Sequence, residues 1–187
     1  ADKAVFLTIA HNVPQEAMKI IDTGLKRTNA DMFQIRGIDN APLLSSIIRK
    51  YLVYTGTKIC DPSSTTVPYD FIEKEYDESP EKWQDIVRNV KGFTKNFKYV
   101  EPSILGAWYA ICRGISLEDA NFFFERLSSG VELEEKNPIL ILRNLMITGK
   151  YRELSVKLRY AFFIKTWNYF RDKKTVSVLR YCTADGD

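Results

Sequence analysis

The stretch PSILGAWYAICRGISLEDANFFFERLSSG, residues 102–130, decides the fold class. Pro102 suits the first position of a helix, where the missing N–H costs nothing. Leu105, Trp108, Tyr109, Ile111 and Cys112 then recur near helical spacing until Gly114 stops the run. Ser116-Leu117-Glu118-Asp119 has the Ser-x-x-Asp/Glu capping pattern, ahead of Ala120, Phe122, Phe123, Phe124 and Leu127, and Gly130 closes that second helix. Adjacent helical residues lie about 100° apart, so three consecutive phenylalanines cannot share one narrow stripe. The second helix is therefore buried on most sides or meets another chain.

Outward from this pair the same signals continue. Ser79-Pro80-Glu81 offers an N-cap, a proline and an acidic first turn for a helix through Trp83, Ile86, Val87 and Val90. A shorter helix over 67–76, capped near Thr66, precedes it. Residues 60–68, polar and bounded by Pro62 and Pro68, mark an exposed loop or hinge. Before them, Thr28 or Asn29 caps a short helix through Met32, Phe33 and Ile35. Asp39 or Asn40 caps a longer one carrying Leu43, Leu44, Ile47, Ile48, Tyr51 and Leu52. Downstream, residues 138–148 and about 153–171 read as helices. Val5-Phe6-Leu7-Thr8-Ile9 and residues 175–181 read as strands, with a helix from Pro14 to Gly24 after the first. The expectation is a mainly α protein, a helical domain with a minor strand contribution from the two termini. It divides into a remnant α/β module with a helical hairpin (1–60) and a helical domain (61–187), or runs as one continuous domain.

The 187 residues include 11 Phe, 10 Tyr and 3 Trp, far more buriable surface than a disordered chain carries. No apolar run approaches the roughly 18 residues of a membrane span, and the opening residues lack the apolar stretch of a signal peptide. Cys60, Cys112 and Cys182 are widely separated and odd in number, which suits reduced thiols in a cytosol. The net charge of +3 is small but segregated: +3 over residues 1–60, −3 over 61–101, −2 over 102–149 and +5 over 150–187. If the fold brings the two basic ends together, their +8 forms one patch that attracts phosphates.

Catalytic signals are sparse. His11 is the lone histidine, and no Walker loop, dinucleotide fingerprint or His-Glu-x-x-His helix occurs. The acidic run Asp70, Glu73, Glu75, Asp77, Glu78 and Glu81 lacks the glycine and alternating oxygen ligands of a calcium loop and reads as a solvated helix surface. No metal and no cofactor is expected. The two helices joined by Arg36-Gly37-Ile38-Asp39 have the outline of a helix-turn-helix, with Ser45, Ser46, Arg49 and Lys50 on the polar face of the second. Gly24-Leu25-Lys26-Arg27-Thr28 places two cations at a helix end, where they suit either a phosphate or the helix dipole.

Ile21-Asp22-Thr23-Gly24-Leu25-Lys26-Arg27-Thr28 with Ala30-Asp31-Met32, then Asn137-Pro138-Ile139-Leu140-Ile141-Leu142-Arg143 and Ile164-Lys165-Thr166-Trp167-Asn168, resemble bacteriophage and prophage proteins of the ParB/sulfiredoxin-like type. The likeness spans nearly the whole chain but only the latter part of such proteins. Their Gly-Gln-His-Arg-like loop, upstream of the strand matching Val5 to Ile9, has no counterpart here. The resemblance implies a DNA-associated protein of viral or mobile-element origin in the cytoplasm of a bacterial host cell.

The leading expectation is a nucleic-acid-binding protein without catalysis, contacting DNA or RNA phosphates through Lys26, Arg27, Arg36, Arg49, Lys50, Lys173, Lys174 and Arg180. One alternative is a helical module that docks on a host or viral protein through Phe122, Phe123, Phe124, Tyr169 and Phe170. Another is a nuclease-like or nucleotide-handling enzyme using His11 and Asp22.

Overall fold

The computed structural model describes residues 28–56 and 67–180. These residues are mainly α: nine helices and no strand among them. The helices are α1 (Asn29–Ile35), α2 (Ala41–Thr55), α3 (Tyr69–Glu78), α4 (Pro80–Asn96), α5 (Pro102–Ile115), α6 (Leu117–Ser129), α7 (Pro138–Ile147), α8 (Lys150–Glu153) and α9 (Val156–Arg171). Among the described residues, no helix is long and apolar enough to cross a membrane.

Side-chain caps start several of these helices. Thr28 and Asp31 form a reciprocal capping box at α1, with the Asp31 N–H donating to Thr28 Oγ1 at 3.2 Å and the Thr28 N–H to Asp31 Oδ2 at 2.8 Å. Ser116 accepts from the Asp119 N–H at 3.2 Å, as the capping pattern required, and Asn137 accepts from Ile139 at 2.9 Å. Gly130 ends α6 at φ 74°, a left-handed conformation that costs glycine little, with the Arg143 guanidinium close against it.

Helix α5 is the hub and packs on α2, α4 and α6. Leu105, Ala107, Trp108, Tyr109, Ala110 and Cys112 are all buried. Its approach to α2 depends on Gly106: a Cβ there would stand 2.6 Å from Ile47 Cδ1, so only glycine admits this helix spacing. Phe123 and Phe124 of α6 are fully buried, while Phe122 is 43% exposed with its ring stacked 5.8 Å from Phe170. The phenylalanine run is thus absorbed by a helix buried on several sides. Trp108 stacks on Phe163 of α9 at 4.3 Å, and Trp167 meets Phe123 edge-on at 5.3 Å. Each such fully buried side chain contributes on the order of 1.5–3 kcal/mol of transfer free energy. The core runs from Phe33 to Leu179 through all these helices.

The structure departs from the sequence reading at three points. Asn40 does not cap α2 through its side chain; it adopts φ 58° and its Oδ1 accepts from Lys91 Nζ of α4. The expected helix over 153–171 is broken, because Leu154 is extended and Ser155 starts α9 by accepting from the Leu158 N–H at 3.3 Å. Residues 175–180 form no strand. The Val176 N–H donates to the Lys136 carbonyl at 2.9 Å and Lys165 Nζ to the Arg180 carbonyl, while Leu179 is buried against the helices. Val178 is 57% exposed and the inward residues Val176 and Leu179 lie three positions apart, so the alternation in sequence has no counterpart in burial. Val5–Ile9 and the helix from Pro14 lie outside the described residues.

Candidate functional site

Of the cations expected to form one phosphate-binding face, Arg36, Lys50 and Lys174 are each paired with a carboxylate. Lys26 and Arg27 lie outside the described residues. Arg36, at the end of α1, donates to Asp77 at 2.6 Å and Glu73 at 3.1 Å on α3 and lies over the Tyr76 ring. Its hydrogen bond to Asp77 outweighs burial and pushes its pKa upward. Lys50 pairs with Glu101 at 3.2 Å, and the charge of Arg49 acts on the same carboxylate. Lys174 pairs with Asp172 at 2.9 Å. Lys173 and Arg180 are exposed beyond α9. Helix α2 packs on α1 and α5, with Ser45 buried, so it does not present the open recognition face of a helix-turn-helix.

A different arrangement surrounds a cavity of about 670 Å³ between the ends of α2, α4, α5, α8 and α9. Its walls carry four aromatic side chains: Tyr54 from the last turn of α2, Tyr99 from the α4–α5 connection, Trp108 from α5 and Tyr151 from α8. Lys98, Arg152 and Arg159 stand around it. Backbone oxygens hold the two arginines: Arg152 Nη2 donates to the Lys98 carbonyl at 3.4 Å, and Arg159 Nε donates to the Leu154 carbonyl at 3.0 Å. None of the three cations has an ion pair with a carboxylate among the described residues. These bonds hold the two arginines, Lys98 is exposed, and the Glu101 carboxylate lines the same cavity.

Other groups around the cavity reinforce that charge. Pro102 begins α5 and Val156 begins α9, so two helix N-termini open on it. Glu101 serves the α5 end, and α9 has no acidic residue in its first turn. Burial works against the Glu101 carboxylate, but hydrogen bonds from Ser103 and Lys50 and the charge of Arg49 hold it below the usual carboxylate range. Tyr54 stacks on Tyr160 at 4.3 Å, and burial pushes its hydroxyl up to about 12. The Tyr151 hydroxyl donates to the Arg159 carbonyl at 3.0 Å, which ties α8 to α9. Trp108 is 1% exposed, and its indole N–H influences the Tyr54 hydroxyl yet has no hydrogen-bond partner within bonding distance.

Comparison with protein-family models, curated proteins and solved structures gives no match to this chain. Its chemistry is therefore read from the geometry alone.

The remaining candidates divide as follows. Glu73 and Asp77 of the acidic run serve Arg36, Glu75 pairs with Lys82 at 3.4 Å and Glu78 with Lys74 at 4.0 Å. His11 and Asp22 lie outside the described residues. In the motifs carrying the resemblance, Asn137 is the α7 cap and Trp167 packs in the core. The docking alternative named Phe123 and Phe124, which are fully buried and offer a partner no surface. Sequence reasoning passed over Lys98, Arg152 and Arg159. A signal was present in three cation–tyrosine neighbours at helix ends, Lys98-Tyr99, Tyr151-Arg152 and Arg159-Tyr160, but nothing in their spacing shows that the fold gathers them.

Proposed function

We propose that this chain is a nucleic-acid-binding protein that acts by binding rather than by catalysis, with the α2–α5–α9 cavity as its contact site. The observation that carries this reading is the trio Lys98, Arg152 and Arg159 around aromatic walls, with no carboxylate ion pair to any of them among the described residues. Cations neutralise phosphates and aromatic faces stack with bases, the combination that single-stranded nucleic acid requires. The resemblance to ParB/sulfiredoxin-like phage proteins supports the same reading, and with it a DNA-associated role in the cytoplasm of a bacterial host cell. Arg49, Lys50 and the cations near the chain ends are secondary phosphate contacts in this scheme.

The test is a labelled single-stranded 20-mer titrated at increasing salt. Binding at low salt that weakens steadily as salt rises supports the proposal. No binding at low salt overturns it and favours docking on a protein partner, whose signature is capture with little salt dependence.

A further inference from the structure

We infer that the cavity receives a terminal nucleotide, its base against the aromatic walls and its phosphate among Lys98, Arg152 and Arg159. This rests on the nucleic-acid reading above and assigns its ligand chemistry: a phosphate monoester joined to a planar base. The volume of about 670 Å³ lies within the range typical of small-molecule sites and exceeds the needs of a lone phosphate. A bare anion site needs no aromatic walls, and a purely apolar ligand leaves three cations unanswered.

The cavity sets cations and aromatic rings side by side, as the two halves of such a ligand require. Backbone carbonyls occupy one N–H of each arginine, which fixes the guanidinium while leaving other donors for a phosphate. The α9 N-terminus adds its partial positive charge on the same side, with no acidic side chain in its first turn. Tyr54 is backed by Tyr160, the residue after Arg159, a support that holds its ring in a set plane within reach of the Arg159 charge. Next to it the Trp108 N–H is buried and acts on the Tyr54 hydroxyl, so the indole fixes that hydroxyl at the cavity floor.

Two sources could present this chemistry, a free nucleoside monophosphate or the 5′-phosphorylated end of a strand. Calorimetric titration of the full chain separates them, with four probes: a 5′-phosphorylated hexanucleotide, its 5′-hydroxyl counterpart, a nucleoside monophosphate and ribose 5-phosphate. The inference expects the 5′-phosphate to strengthen binding of the hexanucleotide at least about tenfold, a difference of about 1.4 kcal/mol. It expects ribose 5-phosphate to bind at least about tenfold more weakly than the nucleoside monophosphate. Arg152→Gln and Arg159→Gln should each weaken the phosphorylated probes about tenfold while the thermal midpoint stays near that of the parent. Tyr54→Ala should weaken the nucleoside monophosphate and leave ribose 5-phosphate unchanged.

Equal affinity for phosphorylated and unphosphorylated hexanucleotides, with both arginine variants weakening the two alike, overturns the inference while the broader nucleic-acid reading survives. Arginine-dependent binding of the monophosphate without binding of any oligonucleotide keeps the cavity assignment and overturns the broader reading. If no probe binds, both fall.

Discussion

Arg36 and Arg159 are both arginines near a helix end, and each has a tyrosine close by in the fold, Tyr76 for the first and Tyr151 for the second. The structure treats them oppositely. Arg36 lies between Glu73 and Asp77, and its charge is spent joining α1 to α3. Arg159 and its companion Arg152 are held by carbonyl oxygens at the edge of a cavity, with no carboxylate ion pair among the described residues. The lesson is that the charge a residue carries says little about a binding face; what matters is which atoms already occupy its donors. Glu101 marks the boundary between the two situations, since it lines the cavity but is engaged by Lys50 and Ser103.

Four measurements test this contrast. The largest effect belongs to the floor rather than the rim. Trp108→Ala removes a fully buried ring stacked on Phe163 and should cost about 3–5 kcal/mol in chemical denaturation. A loss below about 1 kcal/mol would mean that the cavity floor is not part of the core. Next, Arg36→Ala leaves Glu73 and Asp77 facing each other without their shared cation. It should cost about 1–2 kcal/mol and leave oligonucleotide affinity unchanged. A matching loss of binding would show that this corner belongs to the interface after all.

The third test uses pH. The Glu101 carboxylate is held below its ordinary value of 4.5, so its contacts stabilise the fold above that pH and are lost as pH falls through the lower folded value. The difference in urea midpoint between the parent and Glu101→Gln should therefore shrink between about pH 6 and about pH 3. A difference that grows on acidification would reverse the assignment. The smallest stability effect is expected at the rim itself. Arg152→Gln should alter unfolding free energy by less than about 0.5 kcal/mol while lowering the salt slope of strand binding by about 0.7. A stability loss as large as that of Arg36→Ala would erase the distinction between the two corners.

Much of the helical scaffold was legible because its signals are local. The Thr28 box, the Ser116 cap, Pro80 and Pro102 at helix starts and Gly130 at a helix end each act within a few residues. The break at Leu154-Ser155 was harder to see, since the apolar pattern continues across it and only the cap hydrogen bond reveals the new start. The alternation over 175–180 pointed to a strand, but the segment buries Leu179 and leaves Val178 exposed, a pattern set by its contacts with the helices rather than by period two. The cavity was not legible at all. Tyr54, Lys98, Trp108 and Arg159 span more than a hundred positions and meet only through the packing of α5 on α2 and α9. Charge counts by segment identify basic ends, but they do not show that Lys174 has Asp172 beside it or that Lys50 faces Glu101.

Cys112 gives the hub helix a property of practical use. Its thiol is buried in α5, and that burial pushes its pKa upward, so the reactive thiolate is suppressed while the helix stays in place. An alkylating reagent reaches this sulfur only when α5 leaves its neighbours. The rate of modification at that one position is thus a clock for opening of the centre of the molecule, and a ligand that bridges α5 and α9 should slow it.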